Sequence, residues 1–300
     1  MPQNPLAAVA PSDPPEPTLL QNTRRGRALI GWMTEASALR MMCSGRADVT
    51  PTDEQRTRAA EARAAVASRV PVAEHDEDPT APAPPDVLAA FGPNRVQEAA
   101  PDGFEIRLVD LRRVRAFQTH VLTEHAVERV ANVEPEDLAQ LTALTLPSHQ
   151  PAAVPIQYDE SQKSWTVLWP NLNMRVLENF QQGATDQSGN PLIILGFVLG
   201  TRPSLLRVTE HQGRYVLTDG YHRAFGLLSR GIDRVPALFH SAANFEDINV
   251  PPGMLPQLQW LGTRPPRLVD YLDEAVAEPV DVVAAQRLIT VSALETGVMG

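Results

Sequence analysis

Asp219, Gly220, Tyr221, His222 and Arg223 stand in a row, and no other segment of the 300 residues concentrates as much chemistry. They lie within residues 215–236, YVLTDGYHRAFGLLSRGIDRVP, which reads as a short strand, an abrupt Asp-Gly turn, a helix and a second short strand. An acid, a flexible glycine, an imidazole and a guanidinium thus meet where a strand feeds a helix N-terminus. Backbone N–H groups lack intrahelical partners there and the helix dipole is positive, so the position favours an anion. Asp219, at the strand end, can anchor a divalent cation such as Mg²⁺ or take a proton from a hydroxyl. Gly220 lets the chain bend sharply and approach a ligand closely. The amides of Tyr221, His222 and Arg223 can converge on a phosphate. His222 can donate to that phosphate or act as an acid/base, and Arg223 can add a bidentate grip. A plainer reading of the same residues has Asp219 cap the helix while Arg223 pairs with it four residues on.

The flanking elements must hold this turn in place. The segment SLLRVTEHQGRYVLT reads as a hairpin turning at His211, Gln212 and Gly213. The helix after the turn ends at Gly231, which suits the first position beyond a helix. VPALF is the closing strand. Upstream, FEIRLVDLRRV from Phe104 alternates apolar and charged residues and reads as a strand. Residues 120–146 read as helical with a break near Pro135. AAVPIQYDE and SWTVLW form a hairpin about the ESQK turn. NMRVLENFQQ reads as a helix, and PLIILGFVLG as a buried strand or short buried helix.

The rest divides by composition. Residues 1–22 are a Pro-rich tail expected to be disordered. Residues 23–70 read as a helical hairpin, with one helix over about 24–44 and a second from Thr50 or Thr52 to about Arg69. Thr50 with Pro51 fits an N-cap and first-turn proline, and Thr52 with Gln55 fits a capping box. Residues 71–103 read as an acidic, Pro/Ala-rich linker whose run from Glu74 to Asp78 is solvated. Residues 241–300 form a C-terminal extension with a short amphipathic helix at RLVDYLDEAV and a last strand or helix at RLITVSALE.

Composition excludes several functions. The formal net charge is -10 and no basic face is visible, which argues against a grip on DNA phosphates. Lys163 is the only lysine, so neither a P-loop nor lysine Schiff-base chemistry is expected. Cys43 is the sole cysteine, which excludes an internal disulfide and a zinc ribbon and suits a reducing cytoplasm. The opening residues lack a basic region followed by an apolar core, so no signal peptide is expected. The longest apolar run, residues 191–200, is short of the ~20 residues that span a bilayer. His125 and Glu128 sit one helical turn apart, but two ligands do not make a metal site. Trp165, Trp169 and Trp260 read as core or interface residues.

Hairpin, turn, helix and Val-Pro strand in this order resemble the ParB/sulfiredoxin-like superfamily. The likeness is strongest over about residues 204–240 and weaker back to Phe104. RYVLTDGYHRAFGLLSRGIDRVPALF is most similar to members whose box reads Asp-Gly-His-His-Arg, free-serine kinases among them; the first His of that box is Tyr221 here. Sulfiredoxins carry a cysteine at that position, so sulfiredoxin chemistry is not expected. Gln118 matches the Gln of a Gln-Pro-Arg element in ParB-like domains, but Thr119 and His120 replace its Pro-Arg. Residues after 240 do not resemble the helix-turn-helix domain of partition proteins.

The resemblance implies an α+β fold: a small mixed sheet with packed helices over residues 104–240, flanked by the N-terminal hairpin and C-terminal extension. It also implies a nucleotide pocket for ATP, ADP or CTP with Mg²⁺. Gly220, Tyr221, His222 and Arg223 would form its floor, and Asp219 would be the base or metal ligand. Tyr221 would stack on a base or simply pack. Arg202 and Arg175 would be further phosphate ligands or ordinary surface arginines. The implied activity is nucleotide hydrolysis or phosphotransfer to a small-molecule acceptor, catalysed by Asp219, His222 and Arg223. One alternative is a non-catalytic nucleotide switch or interaction module whose extensions bind a protein partner. Another is a nucleic-acid-binding or nuclease-like relative. No membrane partner is expected.

Overall fold

The computed structural model describes residues 23–46, 48–73, 75–92, 103–147, 156–169, 174–201, 204–283 and 287–292. The fold is α+β. A five-stranded mixed sheet lies at its centre, built from β2 (Thr80–Pro82), β3 (Phe104–Asp110), β9 (Arg207–His211), β10 (Arg214–Asp219) and β11 (Arg234–Ser241) in the order β10-β9-β11-β3-β2. β9 and β11 run parallel, with Phe239 opposite Val208, and the other neighbours are antiparallel. Pro236 can sit in β11 because the pairing with β9 begins only at Leu238, so its missing N–H is not needed on that side.

Local chemistry explains the β9–β10 hairpin and the helix after it. Gln212 and Gly213 both have positive φ, at 52° and 71°, as a two-residue type I′ turn requires. The helix Tyr221–Ser229 then crosses to β11. It stops at Arg230 with Gly231 at φ 75°. Ile232 N donates to Leu227 O and Gly231 N to Leu228 O, the paired bonds of a Schellman stop.

Alternation along the sheet sends side chains to two cores. Ala237 and Phe239 enter the larger one and Leu238 the smaller. The larger core draws on residues from Ala28 to Val280. It joins Trp32 and Val66 to Phe117, Tyr221, Trp260 and Tyr271. The smaller core packs Val87 and Phe91 of a helix, Pro85–Phe91, against Ile106, Leu146 and Leu238.

Several elements differ from their sequence reading. Thr23–Ala28 is not helical but a strand, β1, central in a three-stranded sheet. Its neighbours are β4 (His120–Leu122) and β12 (Glu278–Val283). Helix α1 therefore starts only at Glu35 and runs to Met42. Helix α2, Asp53–Ser68, starts as expected from Thr52, whose hydroxyl accepts from Gln55 N while Gln55 Oε1 accepts from Thr52 N. The helix Pro85–Phe91 is α3. The expected helical region after β4 is α4 (Thr123–Val130) and α5 (Leu138–Thr145), broken on either side of Pro135. The helix after the Asp-Gly turn, Tyr221–Ser229, is α6, and a short α7 covers Gln257–Trp260. Residues 268–272 form a 3-10 turn rather than an α-helix.

Part of the acidic segment is not a solvated linker. Asp76 takes two bonds from Arg115, at 2.6 and 2.7 Å, and Arg115 is fully buried. Asp76 Oδ2 also accepts from Tyr215 N of β10, so the acidic run is fastened to the sheet edge.

Between α5 and β9 the chain makes an excursion whose ends meet: Leu206 N donates to Thr145 O at 2.7 Å. The excursion holds the expected hairpin, β5 (Ile156–Asp159) and β6 (Ser164–Trp169), with β13 (Arg287–Ser292) added beside β6. It also holds a two-stranded ribbon of β7 (Met174–Thr185) and β8 (Pro191–Thr201). β7 corrects the helix expected at NMRVLENFQQ. β8 is a strand, but its side chains are largely exposed rather than buried. Among the described residues no helix is long and apolar enough to cross a membrane. The expected tail 1–22, part of the linker and Arg202 lie outside the described residues.

Candidate functional site

The Asp-Gly turn is shaped before the ligand chemistry begins. The β9–β10 register shifts between Leu217 and Asp219, so a bulge at Thr218 re-aims the end of β10. Gly220 then takes φ 95°, a left-handed conformation, and a Cβ there would lie 2.9 Å from Leu206 Cα. Both the backbone angle and the close approach require glycine.

Gly220 is the N-cap of α6 and has no side chain with which to cap it. The first bond to its carbonyl comes from Ala224 N, so the amides of Tyr221, His222 and Arg223 precede the intrahelical ladder. The plainer reading, with Asp219 as cap and Arg223 as its ion pair, is therefore corrected. Asp219 Oδ1 instead accepts from Gly220 N at 2.7 Å and from Ser204 Oγ at 2.8 Å.

Arg223 points away from solvent and is only 3% exposed. Its guanidinium donates to Leu144 O at 2.9 Å, Thr145 O at 3.3 Å, Ser204 Oγ at 2.7 Å and Ser204 O. It thus ties together the two ends of the excursion, a job unrelated to a ligand. Burial pulls its pKa down to about 10; Asp219 opposes that shift and Arg129 adds to it. Ser204 is the link between the acid and the guanidinium, because its hydroxyl donates to Asp219 and accepts from Arg223.

Tyr221 packs. It is 4% exposed, its hydroxyl donates to Leu217 O at 2.6 Å and accepts from Phe117 N at 2.9 Å, and burial raises its pKa. Its ring lies against Phe117 and edge-on to Tyr271. Of the expected residues, then, Asp219, Gly220 and half-buried His222 line the turn, while Tyr221 and Arg223 support it from behind. Arg175 lies on β7, opposite Gly200.

Sequence reasoning missed Ser204 and Leu206. Ser204 carried no signal beyond being a polar residue before a strand. Leu206 could have been anticipated from the demand for glycine opposite it, but only with the pairing known. Two surface concavities are described away from the turn. One of about 70 Å³ lies between Asp78, Thr80, Asp110, Arg113 and Arg234. The other, about 310 Å³, lies between α1 and α2 beside Leu39, Cys43 and Pro51. Among the described residues no group of three or more His, Cys, Asp or Glu is placed to hold a metal ion.

No protein family, curated protein or solved structure matches this chain.

Proposed function

We propose that the chain is a nucleotide-binding protein of ParB/sulfiredoxin-like type that receives the nucleotide's phosphates at residues 219–222. The observation that carries this reading is the N-terminus of α6 behind the left-handed Gly220, an N-cap that brings no side chain of its own. Three successive amides ahead of the intrahelical ladder and a positive helix end stand there, beside the Asp219 carboxylate and the His222 side chain. ATP, ADP and CTP all present the phosphate chemistry that such a turn accepts. Asp219 offers a single carboxylate, which fits a Mg²⁺ ion that takes most of its ligands from water and from the nucleotide's own phosphates. Such an ion would supply neutralisation of phosphate charge. The resemblance of hairpin, turn, helix and Val-Pro strand to that superfamily supports the same reading, as does the order β9, β10, α6, β11. The setting we propose is cytoplasmic.

Hydrolysis or phosphotransfer to a small-molecule acceptor needs a base and fixed positive charge at the transferring group. Asp219 is the base in that scheme, and His222 the remaining charged or donating side chain. Arg223 is committed to main-chain carbonyls, which favours the second reading: a nucleotide switch in which binding, not turnover, is the function, with a protein partner on the flanking regions. Thermal shift with ATP, ADP, CTP and GTP, each with and without Mg²⁺, tests the pocket. A rise in melting temperature with at least one of them is expected, and no response to any removes the proposal. Turnover of the bound nucleotide by wild type and Asp219→Asn then separates enzyme from switch.

A further inference from the structure

The ribbon of β7 and β8 is an apolar surface that the rest of the described chain does not cover. It forms its own two-stranded sheet, neither edge of which is paired among the described residues. Nine of the nineteen exposed large hydrophobics among the described residues lie on it. The register divides them between two faces. Phe180, Ile194 and Val198 lie on one, with Leu177 folded over Gly200. Ile193, Leu195 and Phe197 lie on the other, and Ile193 and Leu195 are 67% and 71% exposed. The first face is built rather than incidental. The Phe180 ring lies over Gly196 where a Cβ would stand. This is the device by which an aromatic side chain compensates a strand glycine.

Charge restricts what can cover this surface. The chain as a whole carries -10, yet β7 and β8 contain one Arg and one Glu, and β8 has no charged residue at all. Two copies of an acidic chain repel each other over most of their surfaces and least at the ribbon. A nucleic acid finds no cationic side chain on β8. Area points the same way. Nine side chains exposed to between 40% and 71% offer roughly 900 Å² per copy, close to the ~800 Å² per partner of a stable protein interface. One face alone supplies about half of that, so a stable contact must cover both.

We propose that the ribbon is a dimerisation arm: each copy lays its β7–β8 ribbon onto a second copy, which covers both faces in a two-fold, self-complementary interface. The ribbon is separate in the fold from the turn at residues 219–222.

Sedimentation velocity of the full chain over a wide concentration range, without lipid, tests it. A concentration-dependent dimer is expected. The variant I193D/L195D should weaken dimerisation at least ~30-fold, the loss expected when a central apolar anchor is removed. Both positions are exposed, so circular dichroism and a cooperative melt should match wild type. If the variant nevertheless misfolds, hydrogen exchange of wild type decides instead: amides of residues 174–201 should gain protection as concentration rises. A wild type that stays monomeric, a dimer indifferent to I193D/L195D, or protection that does not change with concentration overturns the proposal. Flotation of a monomeric wild type with phosphatidylglycerol/phosphatidylcholine vesicles, lost in the variant, would overturn it in favour of a lipid surface.

Discussion

Arg223→Met asks whether this guanidinium holds the fold or a ligand. Methionine keeps most of the volume and removes every donor. Thr145 O retains its bond from Leu206 N, so the carbonyls that lose a partner are those of Leu144 and Ser204. Each buried acceptor left unpaired costs ~1–3 kcal/mol. Part of that is offset, because the site no longer buries a charge whose pKa burial has already drawn down to about 10. A net loss of about 2 kcal/mol is expected, which in a chain of this size lowers the melting temperature by roughly 4–8 °C. The excursion between Thr145 and Leu206 should also become more open to limited proteolysis, because its ends lose their shared clamp. Differential scanning fluorimetry and a timed protease digest read both effects. Nucleotide affinity measured on the folded fraction should change less than threefold. An unchanged melting temperature with affinity reduced tenfold or more would show that the guanidinium serves the ligand, and the scaffold argument would fail.

Two further outcomes follow from buried charge. Asp76→Ala strips Arg115 of its carboxylate while Arg115 keeps weaker bonds to Trp260 O and Gly262 O, so a loss near ~3 kcal/mol is expected in urea titration. A loss below about 1 kcal/mol would contradict the burial argument, and adding Arg115→Met should restore part of the stability. Burial lowers the pKa of His120 below the ordinary 6.5, so the unfolded chain takes up the proton first. The stability held by neutral His120 is complete above 6.5 and falls as pH drops toward the lowered value. His240 shifts the same way, also chiefly by burial. The fall in melting temperature between about pH 7.5 and 5.5 should therefore be smaller in His120→Asn than in wild type, and equal falls would rule His120 out as a source.

What the sequence made legible was local. The capping box at Thr52, the Gln212-Gly213 turn, the stop at Gly231 and the break around Pro135 each depend on residues within a few positions of one another. The bend at Gly220 was legible for the same reason. What escaped was set by partners far along the chain. TRRGRA becomes a strand because β12 and β4 pair with it, and nothing within six residues announces that. NMRVLENFQQ spaces its apolar residues as a helix would, and the pairing with β8 overrides that spacing. The roles of Asp219 and Arg223 depended on Ser204 and on the carbonyls of residues 144 and 145. An isolated Asp-Gly-x-His-Arg string therefore reads equally well as a cap or a phosphate grip.

The pairing of β1 with β12 has a consequence in time. Ala28 faces Glu278, a separation of 250 residues. At synthesis rates of about 5–20 residues per second, β1 leaves the ribosome tens of seconds before that partner exists. Its early neighbour, β4, offers only three paired residues, at Gly26, Arg27 and Ala28. Three arginines in six residues keep the waiting strand soluble and a poor template for other chains. Completion of this sheet is therefore a late, slow step, and the newborn chain depends on the charge of β1 until then.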